Sequence, residues 1–169
     1  MKYFTREIWA GWQAKGAVYD RAMKEWKRNS ARYRRAIGKV ASELGPKHGK
    51  FFTEHSLHDG HLLAFLICDW PRAAKAREKQ PETSVRMEVL SRWESARIYE
   101  LCYAGVTEIS VLTKNDLFPL GLSRFGDWGY DELLREGRYG FRHNILFQTG
   151  TEISIVFDTF RFSRRKQVA

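Results

Sequence analysis

Apolar residues recur every seven positions through the N-terminal part of the chain. The repeating positions are Trp12, Tyr19, Trp26, Tyr33 and Val40, and Met23, Ile37 and Leu44 fill the places between them. This spacing puts all of them along one side of an α-helix. The pattern therefore predicts helix from about residue 5 to residue 44.

One uninterrupted helix of that length would be about 60 Å long, whereas a folded chain of this size has a radius of gyration of about 15 Å. We therefore predict two packed helices. Gly16 is one candidate break, and the segment RNSAR (28–32) is another, because Asn29 or Ser30 can cap a new helix. The Gly- and Pro-rich segment LGPKHGK (44–50) predicts the end of the helical region.

From Phe51 onward the apolar pattern changes to a period of two, which is typical of β-strands. We predict a buried strand at 61–68 and alternating strands at 84–93, 96–104 and 106–113, together with a hairpin that joins 141–147 to 151–162 through the turn QTGT. The charged segment 70–83 predicts a loop or short helix. The segment GYDELLREG (129–137), with glycine at each end, predicts a short amphipathic helix.

The order of these elements predicts an α+β fold. A basic helical segment (1–46), expected as a helix pair, packs on a curled antiparallel β-sheet of about five to seven strands in 51–169. We expect one domain over residues 1–169, since chains of this length usually form one.

Positive charge is concentrated at the N-terminus. Residues 1–50 contain 13 Lys and Arg against 4 Asp and Glu, so they account for the whole formal net charge of +9. Six of these cations follow helical spacing along one side of the segment: Arg21, Lys24, Arg28, Arg32, Arg35 and Lys39.

Such a stripe favours an anionic partner. We favour an acidic protein over nucleic acid, because no base-reading motif is present. In the nucleic-acid alternative, Trp12, Trp26 or Tyr33 would stack on unpaired bases.

Histidines and carboxylates crowd into EHSLHDGH (54–61). A metal-dependent hydrolase would use His55, His58, Asp59 and His61, but strand periodicity separates His58 from His61. Convergence requires the chain to turn at Asp59-Gly60. The alternative is structural: His58 and Asp59 hydrogen-bond loop backbone while Leu57 enters the core. We favour this interpretation and predict no cofactor.

Other chemistry lacks a motif. The chain has no G-x-S-x-G nucleophile elbow and no phosphate-binding glycine loop. Cys68 and Cys102 are far apart in apolar surroundings, which predicts free, buried thiols. No secretory signal or membrane-length apolar run is visible, so we expect a soluble, cytoplasmic protein without a membrane partner.

Three segments carry a resemblance: MKYFTREIW (1–9), LHDGHLLAF (57–65) and HNILFQTGTEISIVFDTFRF (143–162). The chain resembles a bacterial domain-of-unknown-function family that begins with an MKYFT-like segment and enters its sheet through Leu-His-Asp. Such domains look similar to immunity proteins encoded beside polymorphic toxins, which bind a toxin domain and block its active site. The resemblance implies a non-enzymatic binding protein and brings no catalytic residues.

Overall fold

A computed structural model describes residues 1–70, 82–94, 97–113, 125–138 and 140–167. Three helices lie within these residues: Arg6–Trp12 (α1), Ala17–Glu43 (α2) and Pro46–Glu54 (α3). None of them combines the length and apolar composition needed to cross a membrane.

The break at Gly16 is confirmed, and the break at RNSAR is wrong. Gly16 separates α1 from α2 with a φ of 63°, a conformation that glycine adopts without strain. Asn29 and Ser30 instead lie buried within α2. The Asn29 side-chain amide donates to the Tyr3 carbonyl (3.0 Å), so it contacts another part of the chain and caps no helix.

The expected end of the helical region at LGPKHGK is also wrong. Gly45, with a φ of 87°, turns the chain there, and Pro46 then begins α3. Proline suits this first position because its missing N–H would have no partner inside the helix.

Eight antiparallel strands follow in the described residues: His61–Trp70 (β1), Glu82–Leu90 (β2), Arg97–Ala104 (β3), Glu108–Leu112 (β4), Trp128–Glu136 (β5), Gly140–Phe147 (β6), Glu152–Phe157 (β7) and Thr159–Lys166 (β8). They form two sheets of four strands, ordered β1-β2-β3-β8 and β4-β7-β6-β5. The α+β class is thereby confirmed, but one sheet of five to seven strands is wrong.

The chain crosses from one sheet to the other at Asp158, where the alternation of 151–162 slips. β7 pairs with β6 and β4, whereas β8 begins one residue later and pairs Thr159 with Ala104 of β3. The chain therefore leaves one sheet for the other at this residue. The predicted turn at QTGT is confirmed, because the Phe147 N–H donates to the Thr151 carbonyl (2.9 Å) between β6 and β7.

The predicted helix at 129–137 is wrong, since these residues form β5 and the following turn. β5 pairs with β6 along its whole length, and Leu133 lies opposite His143. The polar residues of β5 resemble one side of an amphipathic helix in sequence, but Glu132 is completely buried. Of the segment 70–83, residues 71–81 lie outside the described residues, and the rest belongs to β1 and β2.

Strand β1 exists where predicted but is not buried. It lies at the edge of its sheet and pairs only with β2 among the named strands. Leu63, Leu66 and Ile67 keep 49%, 40% and 55% of their surface exposed. An apolar run alone does not separate a central strand from an edge strand.

The core lies between the two sheets. Its largest buried side chains come from both inner faces and include Tyr99, Leu101 and Tyr103 from one sheet and Leu133, Ile145, Phe147, Ile153, Ile155 and Phe157 from the other. Helix α3 closes one side with Phe51, whose ring lies 5.3 Å from that of Phe160. Helix α2 contributes Ile37 and Ala41.

The buried Glu132 carboxylate holds the N-terminal segment against β5. It accepts hydrogen bonds from the backbone N–H groups of Lys2 (2.5 Å) and Tyr3 (2.7 Å) and from the Asn144 side-chain amide (3.0 Å). A buried carboxylate needs such donors to offset the loss of hydration. The N-terminal residues are therefore a structural part of the second sheet.

The substitution Glu132→Gln tests this anchor. Glutamine presents an N–H₂ group where donors already point, so we expect the free energy of unfolding to fall by about 1–3 kcal/mol. Urea denaturation followed by circular dichroism measures it. Glu54→Gln is the control, because Glu54 forms only an exposed 3.7 Å pair with Lys50 and should change stability by less than about 0.5 kcal/mol. Equal stability of the two variants would contradict the anchor.

Candidate functional site

The chain turns at the histidine cluster. The Gly60 N–H donates to the Leu57 carbonyl (2.8 Å), and Asp59 adopts a positive φ of 61°. His58 Nδ1 donates to the Gly129 carbonyl (2.5 Å), and the Asp59 N–H donates to the Trp128 carbonyl (2.8 Å). The turn that a convergent metal site required is therefore present, but it ties the loop to β5.

The three histidines nevertheless diverge. His55 Nδ1 lies 3.3 Å from the Tyr99 hydroxyl, and His61 Nδ1 lies 2.8 Å from Asp127 Oδ1. His58 Nε2 lies 3.6 Å from Asp59 Oδ1. In the parts of the chain that the structure describes, no three His, Cys, Asp or Glu side chains come together to hold a metal ion. The hydrolase interpretation of His55, His58, Asp59 and His61 thus has no geometric support.

The six predicted cations all lie exposed on α2. We call this surface the basic face; it comprises Arg21, Lys24, Arg28, Arg32, Arg35 and Lys39. It extends over about 27 Å, at 1.5 Å per residue. Within the described residues, Arg28 is the one member with an ion pair, at 3.5 Å from Glu25. The other five charges have no carboxylate partner there.

The aromatic residues of α2 lie on its opposite side. At about 100° per residue, Arg35 is about half a turn around the helix from Trp26. Tyr33 reaches β5, where its hydroxyl accepts a hydrogen bond from the Leu133 N–H (2.8 Å). Trp26 contacts Trp12 of α1, with ring centroids 5.3 Å apart. The aromatic side chains that could stack on bases therefore face away from the basic face.

The aromatic segment FPLGLSRFGDWGY (118–130) would supply anchors for a partner if its side chains were exposed. In the aromatic segment 118–130, residues 118–124 lie outside the described residues; Trp128 is buried, while Phe125 packs against the core. These two aromatics offer no exposed anchor. Val18 and Tyr19 do, because 55% and 38% of their surface is exposed at the beginning of α2.

A buried hydrogen-bonded chain, which the sequence analysis does not identify, crosses the core. The Tyr103 hydroxyl lies 2.7 Å from His143 Nδ1, and His143 Nε2 lies 3.1 Å from Asp131 Oδ2. Burial, and then the charge of Asp131, raises the pKa of Tyr103 well above its usual range. Because a carboxylate only accepts hydrogen bonds, His143 Nε2 donates to Asp131. In the neutral imidazole Nδ1 is then the acceptor, and the Tyr103 hydroxyl donates to it.

These hydrogen bonds hold the two sheets together. They do not form a solvent-facing catalytic set, because Tyr103 and His143 are completely buried. Their signal in the sequence is weak. His143 alternates with Phe141 and Ile145, which places it on the inner face of β6, but its partner Asp131 lies in the segment whose pattern predicts a helix.

The two cysteines are free, as expected, but each is only partly buried. Burial, followed by the neighbouring Glu100 carboxylate, raises the pKa of the Cys102 thiol to about 11. A thiol with so high a pKa is a poor nucleophile at neutral pH.

No protein-family model matches this chain. Comparison with curated proteins finds no match, and neither does comparison with solved structures.

Gly60 provides a test of the turn. A Cβ atom at this position would lie 2.8 Å from the Leu57 carbonyl oxygen and 3.0 Å from that of Leu90. We expect Gly60→Ala to lower the free energy of unfolding by about 1–3 kcal/mol. At Gly38, inside α2, an added Cβ would have no atom within 4 Å, so Gly38→Ala should stabilise the protein by about 0.5–1 kcal/mol. Chemical denaturation compares both variants with the parent; effects of the same sign would contradict the geometry.

Proposed function

We propose that the protein is a non-enzymatic, cytoplasmic bacterial binding protein of the immunity type, which holds an acidic protein partner against the basic face of α2. The observation that carries this proposal is the line of exposed cations, five of which have no carboxylate partner within the described residues. Because these charges are not paired with carboxylates of the described residues, a partner can bind them without breaking ion pairs within the protein. They also accelerate encounter with an anionic surface.

A protein partner is favoured over nucleic acid by what surrounds the cations. Trp26 and Tyr33 face away from the basic face, so a single strand bound there would lack their stacking. Val18, which is 55% exposed and lies one turn before Arg21, supplies apolar contact area of the kind that anchors protein interfaces. The cations then act at the rim, where they set the rate and orientation of binding.

The immunity type follows from the resemblance of the three segments 1–9, 57–65 and 143–162. An immunity protein needs a surface complementary to its toxin and no chemistry of its own. A basic surface suits a toxin domain whose active-site surroundings are acidic. The partner is then encoded by the gene adjacent to that of this protein.

The test is a titration of the purified product of that adjacent gene, measured by isothermal calorimetry. We expect a stoichiometric complex with the parent protein. A variant with Arg28→Gln, Arg32→Gln and Arg35→Gln should bind about tenfold more weakly, at about 0.5 kcal/mol for each exposed charge. The control variant carries Arg92→Gln, Arg161→Gln and Lys166→Gln, which removes the same charge from exposed positions outside α2.

Three outcomes would overturn the proposal. The adjacent gene product fails to bind, or both triple variants bind it equally well. The third is binding of generic RNA or duplex DNA at low ionic strength, with an affinity whose logarithm falls linearly with the logarithm of salt concentration. That result would assign the basic face to nucleic acid.

A further inference from the structure

A cavity of about 520 Å³ lies on the inner side of α2, away from the basic face. It is lined by α1, α2, the end of α3 and β5 and is open to solvent on one side. Its volume is within the range of sites that bind small molecules, about 300–1,000 Å³. The function proposed for the basic face makes no use of it.

Aromatic rings form most of the cavity wall. Tyr130 lies at their centre, with its ring centroid 5.2 Å from that of Phe4, 6.1 Å from that of Trp12 and 6.2 Å from that of Trp26. Tyr33 adds a further ring, 5.4 Å from Phe4. The faces of such rings carry partial negative charge and attract cations.

The charge of the cavity has the same sign as the ring faces. Asp131 lines it, with 27% of its side chain exposed, and is fixed by hydrogen bonds from Trp128 Nε1 (3.1 Å) and His143 Nε2 (3.1 Å). Burial, and then the charge of Asp59, raises the pKa of Tyr130 to about 12. Among the described residues that line the cavity the basic side chains are the histidines His55 and His58, and there is no lysine or arginine, although the whole chain is strongly basic.

Two buried donors in the cavity wall lack a well-placed acceptor. The indole N–H groups of Trp12 and Trp26 are inaccessible to solvent and make no hydrogen bond of normal geometry within the described residues. Trp26 is close enough to the Tyr130 hydroxyl to lower the pKa of that group slightly, against the larger effect of burial. Buried donors are nearly always paired, because an unpaired one costs about 1–3 kcal/mol. Because these N–H groups are inaccessible even to water, a ligand in the cavity contacts the faces and edges of the indole rings rather than their N–H groups.

We propose that this cavity binds a small alkylammonium compound. The cation lies against the rings of Tyr130 and Trp26 and is balanced by the Asp131 carboxylate. The cavity is independent of the basic face, since the two lie on opposite sides of α2.

The test compares two probes of nearly identical shape on the unmodified protein. Choline is the cation, and its neutral isostere carries a tert-butyl group in place of the trimethylammonium group. We expect choline to bind with one-to-one stoichiometry by calorimetry and the isostere to bind roughly 5- to 30-fold more weakly, which spans the range from an exposed to a desolvated cation–π site. Because no substitution is needed, misfolding cannot explain the result.

A variant then assigns the charge. Asp131→Asn should weaken choline binding about tenfold and leave binding of the isostere unchanged. Asp20→Asn, which alters an exposed carboxylate on α2, should change neither. Equal affinity for the two probes would overturn the proposal and define an apolar pocket. Absence of choline binding even at millimolar concentration would also overturn it.

Discussion

The architecture depends on how α2 lies along β5, an edge strand of the second sheet. The Tyr33 hydroxyl accepts a hydrogen bond from the Leu133 N–H of that strand, and the buried Glu132 carboxylate of the same strand accepts those of Lys2 and Tyr3. The helix and the N-terminal segment thereby cover an edge that could otherwise pair with a strand of another molecule. This packing also decides which side of α2 faces water.

One helix therefore separates two surfaces with opposite electrostatic character. Its outer side carries the basic face, and its inner side lines a cavity of aromatic rings with the Asp131 carboxylate. The two surfaces therefore do not overlap. The excess of positive charge in the sequence describes only the first, because charge composition averages over both sides of the helix.

Local patterns predicted a good part of this fold. The heptad spacing and Gly16 predicted α1 and α2, and QTGT predicted the hairpin, since each depends on neighbouring residues. The pattern of β5, in contrast, is that of an amphipathic helix. Its polar residues Glu132 and Asp131 are stabilised in the strand by Tyr3 and His143, which are distant in sequence. Partners of this kind leave no local signal.

The same limitation applied to the candidate site. The basic face could be predicted, because six exposed positions at helical spacing need no tertiary contact to be recognised. The cavity could not, since Phe4, Trp12, Tyr33 and Tyr130 come from four parts of the chain. The histidine cluster shows the converse, because proximity in sequence does not bring His55, His58 and His61 to one point.

Hydroxyl-radical footprinting read by mass spectrometry tests the packing of α2 most directly. Trp26 is partly buried against β5, whereas 68% of the surface of Trp93 is exposed, so the two report on the same chemistry in different surroundings. If α2 lies along β5, Trp26 oxidises several times more slowly than Trp93, and Tyr33 more slowly than Tyr19. Oxidation of Trp26 as fast as that of Trp93 would mean that α2 extends into solvent, and would contradict both surfaces assigned to it.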